Sequence, residues 1–288
     1  MAVPTYPDAS VARHEDGFLS GKDGLRLYYR RYTPADARAT VAIAPGGGDH
    51  SGRYPALTSA LVAKGFEVAL LDFRGHGRSE GRRWHVDRFS EYYGDLEVFV
   101  EHLRAGAGAR KLFLLGHSQG GLIAAGWGLA PGQGVAGVLM TNPFFRLKLA
   151  APPMKIFAAR LVGRVLPGLP ISTGLRYEDL TSDEEMQRWT RDDPLYGRKT
   201  TPRWFVESQR AQGETLARAK AFGYPLLILL GEADPIADPE AARSFEAAAG
   251  SADKATRTYR DLRHEILNER ARERPLADLV AWVEARAH

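Results

Sequence analysis

The chain has 288 residues, 44% apolar and 26% charged, the make-up of a globular protein with room for one large domain or a domain carrying an insertion. Its 39 basic and 35 acidic residues leave a net charge of +4 without blocks of like charge, which argues against a nucleic-acid partner. With no cysteine, disulfides, thiolate metal sites and cysteine nucleophiles are excluded.

The opening "MAVPTYPDAS" lacks the basic start and apolar core of a signal peptide. No run approaches the ~18 apolar residues of a membrane helix. Absence of cysteine fits a cytosolic protein, so the expected location is cytoplasmic, with peripheral membrane contact as the alternative. Two β-like runs, Gly17–Ser20 and Leu25–Tyr32, flank a "KDG" turn at Lys22–Gly24. Thr40–Ala44 reads as a buried strand that ends in Pro45 and three glycines. Tyr54–Lys64 has helical spacing and a stop at Gly65. Phe66–Phe73 is the next strand, and Phe89, Tyr92, Leu96, Phe99 and Leu103 mark one face of a helix. "KLFLL" at 111–115 is a strand, Gly120–Leu129 a helix of small residues, and Val135–Asn142 another strand. Pro225–Gly231 and Ala255–Tyr259 read as strands, and Pro239–Ala249 as a helix between them. The last helix is near Pro275–Arg286, with Pro275 at its first position.

Strands alternating with helices imply a mostly parallel central sheet with helices on both faces. The stretch 144–222 breaks this rhythm with prolines at 152, 153, 167, 170, 194 and 202. It reads as an inserted, mainly helical cap, leaving 1–143 and 223–288 as an α/β core.

The sharpest motif is "GHSQGG". G-x-S-x-G exposes a serine on a tight strand-to-helix turn, and the helix N-terminus behind it supplies backbone N–H groups and a favourable dipole. The bland alternative is a glycine-rich turn that packs a helix on a sheet. A nucleophilic Ser118 needs an acid and a base, in the order serine, acid, histidine. "LLILLGEADPIAD" puts Asp234 just past an apolar strand, and "YRDLRHEILNE" puts His264 after the next. A parallel sheet brings such strand ends together whatever their separation in sequence. His264 would take the Ser118 proton while Asp234 orients it. Glu232 and Asp238 read as surface or helix-cap residues. His117, next to the serine, is expected to point away from the site; His50, His76 and His85 lie in loops near it. Oxyanion donors are expected from the backbone N–H of Gln119 and from the loop Pro45–Tyr54, where Pro45 itself has no N–H. No H-E-x-x-H or dinucleotide fingerprint is present, so neither metal nor cofactor is expected.

Together "GGGDHSGRY", "LLDFRGHGRSEG", "LLGHSQGG", "GEADPIAD" and "RHEILNE", in this order from Gly46 to Glu269, resemble the monoacylglycerol lipase and lysophospholipase group of α/β-hydrolases. That group usually has His-Gly where this chain has Pro45-Gly46. The resemblance implies the α/β-hydrolase fold, and by position it makes Gly47 the second oxyanion donor. It implies hydrolysis of a carboxylic ester through an acyl-enzyme, with a monoacylglycerol as the leading substrate. A lysophospholipid, thioester or short-chain ester remains the alternative, and a non-catalytic ligand-binding homologue is a more distant one. It further implies a cap that shapes an acyl tunnel and touches lipid. "PPMKIFAARLVGRVLPGLP" makes Met154, Phe157 and Leu161 candidate substrate contacts. Lys148, Lys155, Arg160 and Arg164 beside them suit a membrane interface, although packing on the core uses the same residue types. Trp189, Trp204 and Phe205 either line the tunnel or hold the cap together.

Overall fold

The computed structural model describes residues 5–7, 11–148, 163 and 165–288; Met154, Phe157 and Leu161 lie outside the described residues. The strands are β1 (Arg13–Ser20), β2 (Arg26–Thr33), β3 (Ala39–Ala44), β4 (Phe66–Leu71), β5 (Lys111–His117), β6 (Gly137–Thr141), β7 (Ile171–Ser172), β8 (Lys199–Thr200), β9 (Leu226–Gly231) and β10 (Lys254–Tyr259). The α-helices are α1 (Pro55–Val62), α2 (Ser90–Ala107), α3 (Gln119–Trp127), α4 (Tyr177–Leu180), α5 (Glu184–Asp192), α6 (Pro202–Ala217), α7 (Pro239–Ala248) and α8 (Glu273–Glu284).

Among the described residues, eight strands form one sheet in the order β1-β2-β4-β3-β5-β6-β9-β10. β1, β2 and β4 pair antiparallel, and every pairing from β4 to β10 is parallel. This is the α/β-hydrolase fold. Alternate residues of each inner strand face opposite layers, as a period of two requires. Ala42, Leu112 and Leu114 join α2, α3 and α7 in one buried cluster. Val41, Phe113 and Leu115 join α1 and α8 in the other. Each buried leucine or phenylalanine contributes about 1.5–3 kcal/mol, so the sheet is rigid where its strand ends hold functional loops.

Most element boundaries differ from expectation by a residue or two, and two starts are instructive. β1 begins at Arg13 rather than Gly17, because "RHED" lies on an edge strand with both faces half-exposed and shows no apolar alternation. α8 begins at Glu273, so Pro275 is its third residue; it still lies in the first turn, where backbone N–H groups have no intrahelical acceptor.

Between β6 and β9 the chain leaves the sheet. β7 and β8 make a two-residue antiparallel pair, and α4, α5 and α6 follow one another around it. Asp183 caps α5 and Thr201 caps α6. Trp204, Ala211, Ala219 and Phe222 pack into the α2–α3 layer of the core, so core packing begins within α6, before residue 223.

Candidate active site

β5 runs into α3 through Ser118, whose φ of 51° and ψ of −115° are strained for a residue with a side chain. Such a conformation costs ~1–3 kcal/mol and persists only where its surroundings enforce it. Here they do. Ser118 N–H donates to the Thr141 carbonyl at 3.0 Å, and its own carbonyl accepts from Phe144 N–H at 3.0 Å. A Cβ on Gly120 would lie 2.0 Å from the Ala44 carbonyl oxygen, so only glycine lets α3 start this close to β3.

The loop after β10 brings His264 over this turn. His264 Nε2 lies 2.8 Å from Ser118 Oγ, and Nδ1 lies 2.7 Å from Asp234 Oδ2. The other Asp234 oxygen accepts from Ile236 and Ala237 N–H at 2.7 and 3.1 Å. The carboxylate therefore has one oxygen fixed by backbone and the other presented to the imidazole. All three side chains are buried. Burial opposes protonation of His264, but the Asp234 charge and its hydrogen bond outweigh burial and raise the His264 pKa above the ordinary value.

His117 does not turn away from the site as the sequence reading expected. Its ring stands 5.1 Å from that of His264 and lines the same cavity. Its Nδ1 is paired with Thr141 Oγ1 at 2.9 Å, and burial together with the nearby His264 pushes its pKa down to about 4. It is thus a neutral wall of the site rather than a competing base.

Gly47 and Gln119 border the cavity at Ser118. Gln119 is held by its side chain, whose Oε1 accepts from Trp84 Nε1 at 3.1 Å and Trp204 Nε1 at 3.0 Å. A Cβ on Gly47 would lie 2.5 Å from the Trp84 ring, so the loop fits beneath that indole only as glycine.

The cavity measures about 490 Å³, within the range of small-molecule sites. Phe144, Leu147, Ile171, Leu175, Phe205 and Ile236 give it apolar walls. Asp49, Tyr196 and Glu265 give it a polar patch, and these three surround one fully buried arginine, Arg53. Arg53 Nε lies 3.0 Å from Asp49, and Nη2 donates to Glu265 at 2.9 Å and to Thr190 Oγ1 at 2.8 Å. The guanidinium lies 4.9 and 5.0 Å from the ring centres of Trp189 and Tyr196. One cation serves two carboxylates. Burial opposes ionisation of both, yet the Arg53 charge keeps Glu265 below its usual range, whereas Asp49 is raised. Nearby, His50 Nε2 meets Asp193 at 2.8 Å and ties the same loop to the end of α5.

Sequence reasoning passed over Asp49, Arg53 and Glu265. A signal was there, since all three lie inside "GGGDHSGRY" and "RHEILNE", with Glu265 next to His264. Thr190 and Tyr196 carried none, and Trp189 reads only as a tunnel or cap-packing residue. Trp204 and Phe205 line the cavity, while Trp189 backs Arg53. Among the described residues, no cluster of three or more acidic or histidine side chains is placed to hold a metal ion. No described helix is long and apolar enough to cross a membrane.

Comparison with known proteins places this geometry in a family. The model of the serine aminopeptidase, S33 family matches residues 35–271. A monoacylglycerol lipase of Mycolicibacterium smegmatis is 30% identical over 95% of this chain and 98% of its own length. Phospholipase YtpA of Bacillus subtilis is 28% identical over 82% of this chain and 91% of its own. Among solved structures, the monoacylglycerol lipase of Paleococcus ferrophilus superposes with a TM-score of 0.82 at 28% identity, covering 90% of this chain and 99% of that one.

Proposed function

The chain belongs to the serine aminopeptidase, S33 family of α/β-hydrolases, in its lipase and esterase group, and from that premise we propose that it hydrolyses monoacylglycerols to fatty acid and glycerol. The observation that carries this reading is the Ser118–His264–Asp234 relay opening on a cavity with apolar walls and a carboxylate-bearing polar patch.

Ser118 Oγ attacks the ester carbonyl as His264 Nε2 takes its proton, and Asp234 stabilises the resulting imidazolium. The carbonyl oxygen becomes an oxyanion and receives the backbone N–H groups of Gly47 and Gln119. Collapse breaks the bond to the glyceryl oxygen, which takes the proton from His264 and leaves as glycerol. Water then gives its proton to His264 and attacks the acyl-serine, releasing the fatty acid and restoring Ser118. The segment 144–222 acts as the cap that encloses the acyl chain, with Ile171, Leu175 and Phe205 as its contacts. Exposed Val165, Leu166 and Leu169 support docking of this cap on a lipid surface.

The polar patch bears on the leaving group. Asp49 and Glu265 share one buried arginine, which favours the ionised form of Glu265, while burial favours the neutral form of Asp49. Glycerol hydroxyls can donate hydrogens to these carboxyl groups, whereas a lysophospholipid phosphate diester has only acceptors to set against the Glu265 carboxylate. A panel of 1-monoacylglycerols and lysophosphatidylcholines with matched acyl chains tests this. The expected result is higher kcat/KM for the glycerol esters; a preference for the phospholipids overturns the substrate assignment.

A further inference from the structure

The end of β6 and the turn after it reach Ser118, the His264 backbone and Gly231, three residues before Asp234. Besides pairing with both sides of Ser118, this segment presents Asn142, which is buried and has a positive φ of 41°. Asparagine is among the few non-glycine residues that take up this conformation readily. Trp84, Ser118 and Asn142 are the non-glycine residues with positive φ among those described.

The Asn142 carboxamide uses both its ends. Nδ2 donates to the carbonyls of Arg263 at 2.9 Å and His264 at 2.8 Å. Oδ1 accepts from Gly231 N–H at 2.8 Å, at the last residue of β9, just before the Asp234 loop. Asn142 N–H donates to the Leu229 carbonyl at 3.0 Å, which fixes the base of the side chain to that same strand. The histidine follows β10, an edge strand with a single sheet neighbour, so its loop draws little support from the sheet itself.

We infer that Asn142 is a positioning residue, whose carboxamide locks the His264 backbone to the end of β9 and thereby sets the imidazole between Ser118 and Asp234. The inference rests on the relay proposed above. A side chain that only filled space would need no donor aimed at the histidine carbonyl. Aspartate has the same shape but cannot donate, and it would set a carboxylate oxygen against two carbonyl oxygens.

Two variants test this. Asn142→Asp keeps the shape and the acceptor; Asn142→Gly keeps the left-handed backbone and removes the carboxamide. Both are expected to fold, to lose ~10- to 100-fold in kcat, and to keep KM for a monoacylglycerol within roughly threefold, because misplacement of the base costs turnover rather than binding. In Asn142→Gly the acid limb of kcat/KM against pH should also move to lower pH. The groups facing His264 are Asp234, Ser118, His117, Glu265 and Asp49; His117 is neutral, and loosening the grip of Asp234 leaves burial, the strongest influence on the ring, opposed only by the weaker pull of Glu265 and Asp49. Folded variants with wild-type kcat, or Asn142→Gly with reduced kcat and an unmoved acid limb, overturn the assignment. So does failure of both to fold, which leaves Asn142 a role in stability alone. Ser118→Ala in the same assay separates the two readings: turnover retained there refutes the relay, whatever the Asn142 variants do.

Discussion

One side of the site comes from the ends of β5, β6 and β9 and the loop after β10, the other from residues 171–205, and the two are joined differently. On the sheet side, backbone groups and one carboxamide hold the reacting side chains, with Ser118 bonded at both its N–H and its carbonyl. On the other side, long side chains do much of the joining: Arg53 reaches Thr190 and stacks on Trp189 and Tyr196, and His50 meets Asp193, beside backbone bonds from Gly197 N–H to the Gly48 carbonyl and from Glu265 N–H to the Leu180 carbonyl. On the proposed reading, the sheet side carries the reaction and meets the head group through Asp49 and Glu265, and the opposite wall receives the acyl chain.

If this division is right, damage to the sheet side should cut turnover for every ester. Asp234→Asn should lower kcat by ~10⁴-fold, since the histidine loses the partner that sets its tautomer. In the unaltered protein, attack needs neutral His264, so kcat/KM should rise with pH through the His264 pKa, which lies above the ordinary histidine value. Removing the Asp234 charge leaves burial dominant and should shift that limb to lower pH. Activity retained in Asp234→Asn, with an unmoved limb, breaks the comparison at its strongest point.

The junction between the two sides should show itself in stability. Arg53→Met leaves two buried carboxylates without their cation and should cost about 3–5 kcal/mol in chemical denaturation. A loss below 1 kcal/mol would mean that the ionic hub does not hold the sides together. Gly47→Ala should lower kcat by ~10²-fold for short and long esters alike, because the added Cβ meets the Trp84 ring and displaces an oxyanion donor. An effect on KM alone would move Gly47 out of the oxyanion site. The smallest effect belongs to the wall: Phe205→Ala should weaken kcat/KM by ~10-fold for long acyl chains and leave short ones nearly unchanged. Equal losses for both lengths would erase the distinction between the sides.

The same division governs what the sequence reveals. Strands β3, β4, β5 and β9 are short apolar runs buried on both faces, so they stand out, and the residues just beyond them gave Ser118 and Asp234. His264 followed from chain order. The other wall is another matter. β7 and β8 have two residues each and carry no periodicity, and α4 is a single turn. Asn142 was legible only as the end of a strand, since its partner His264 lies 122 residues away and a hydrogen bond at that separation leaves no local pattern. His117 was expected to point the opposite way on the tight turn, whereas the positive φ at Ser118 lets both side chains border one cavity.

The central claim is that Ser118 forms the acyl-enzyme, and a long-chain alkyl fluorophosphonate tests it most directly. Intact mass followed by peptide mapping should show one adduct per chain, on Ser118, formed slowly in His264→Ala and absent in Ser118→Ala. An adduct on another residue, or an unlabelled chain that still hydrolyses esters, would contradict it.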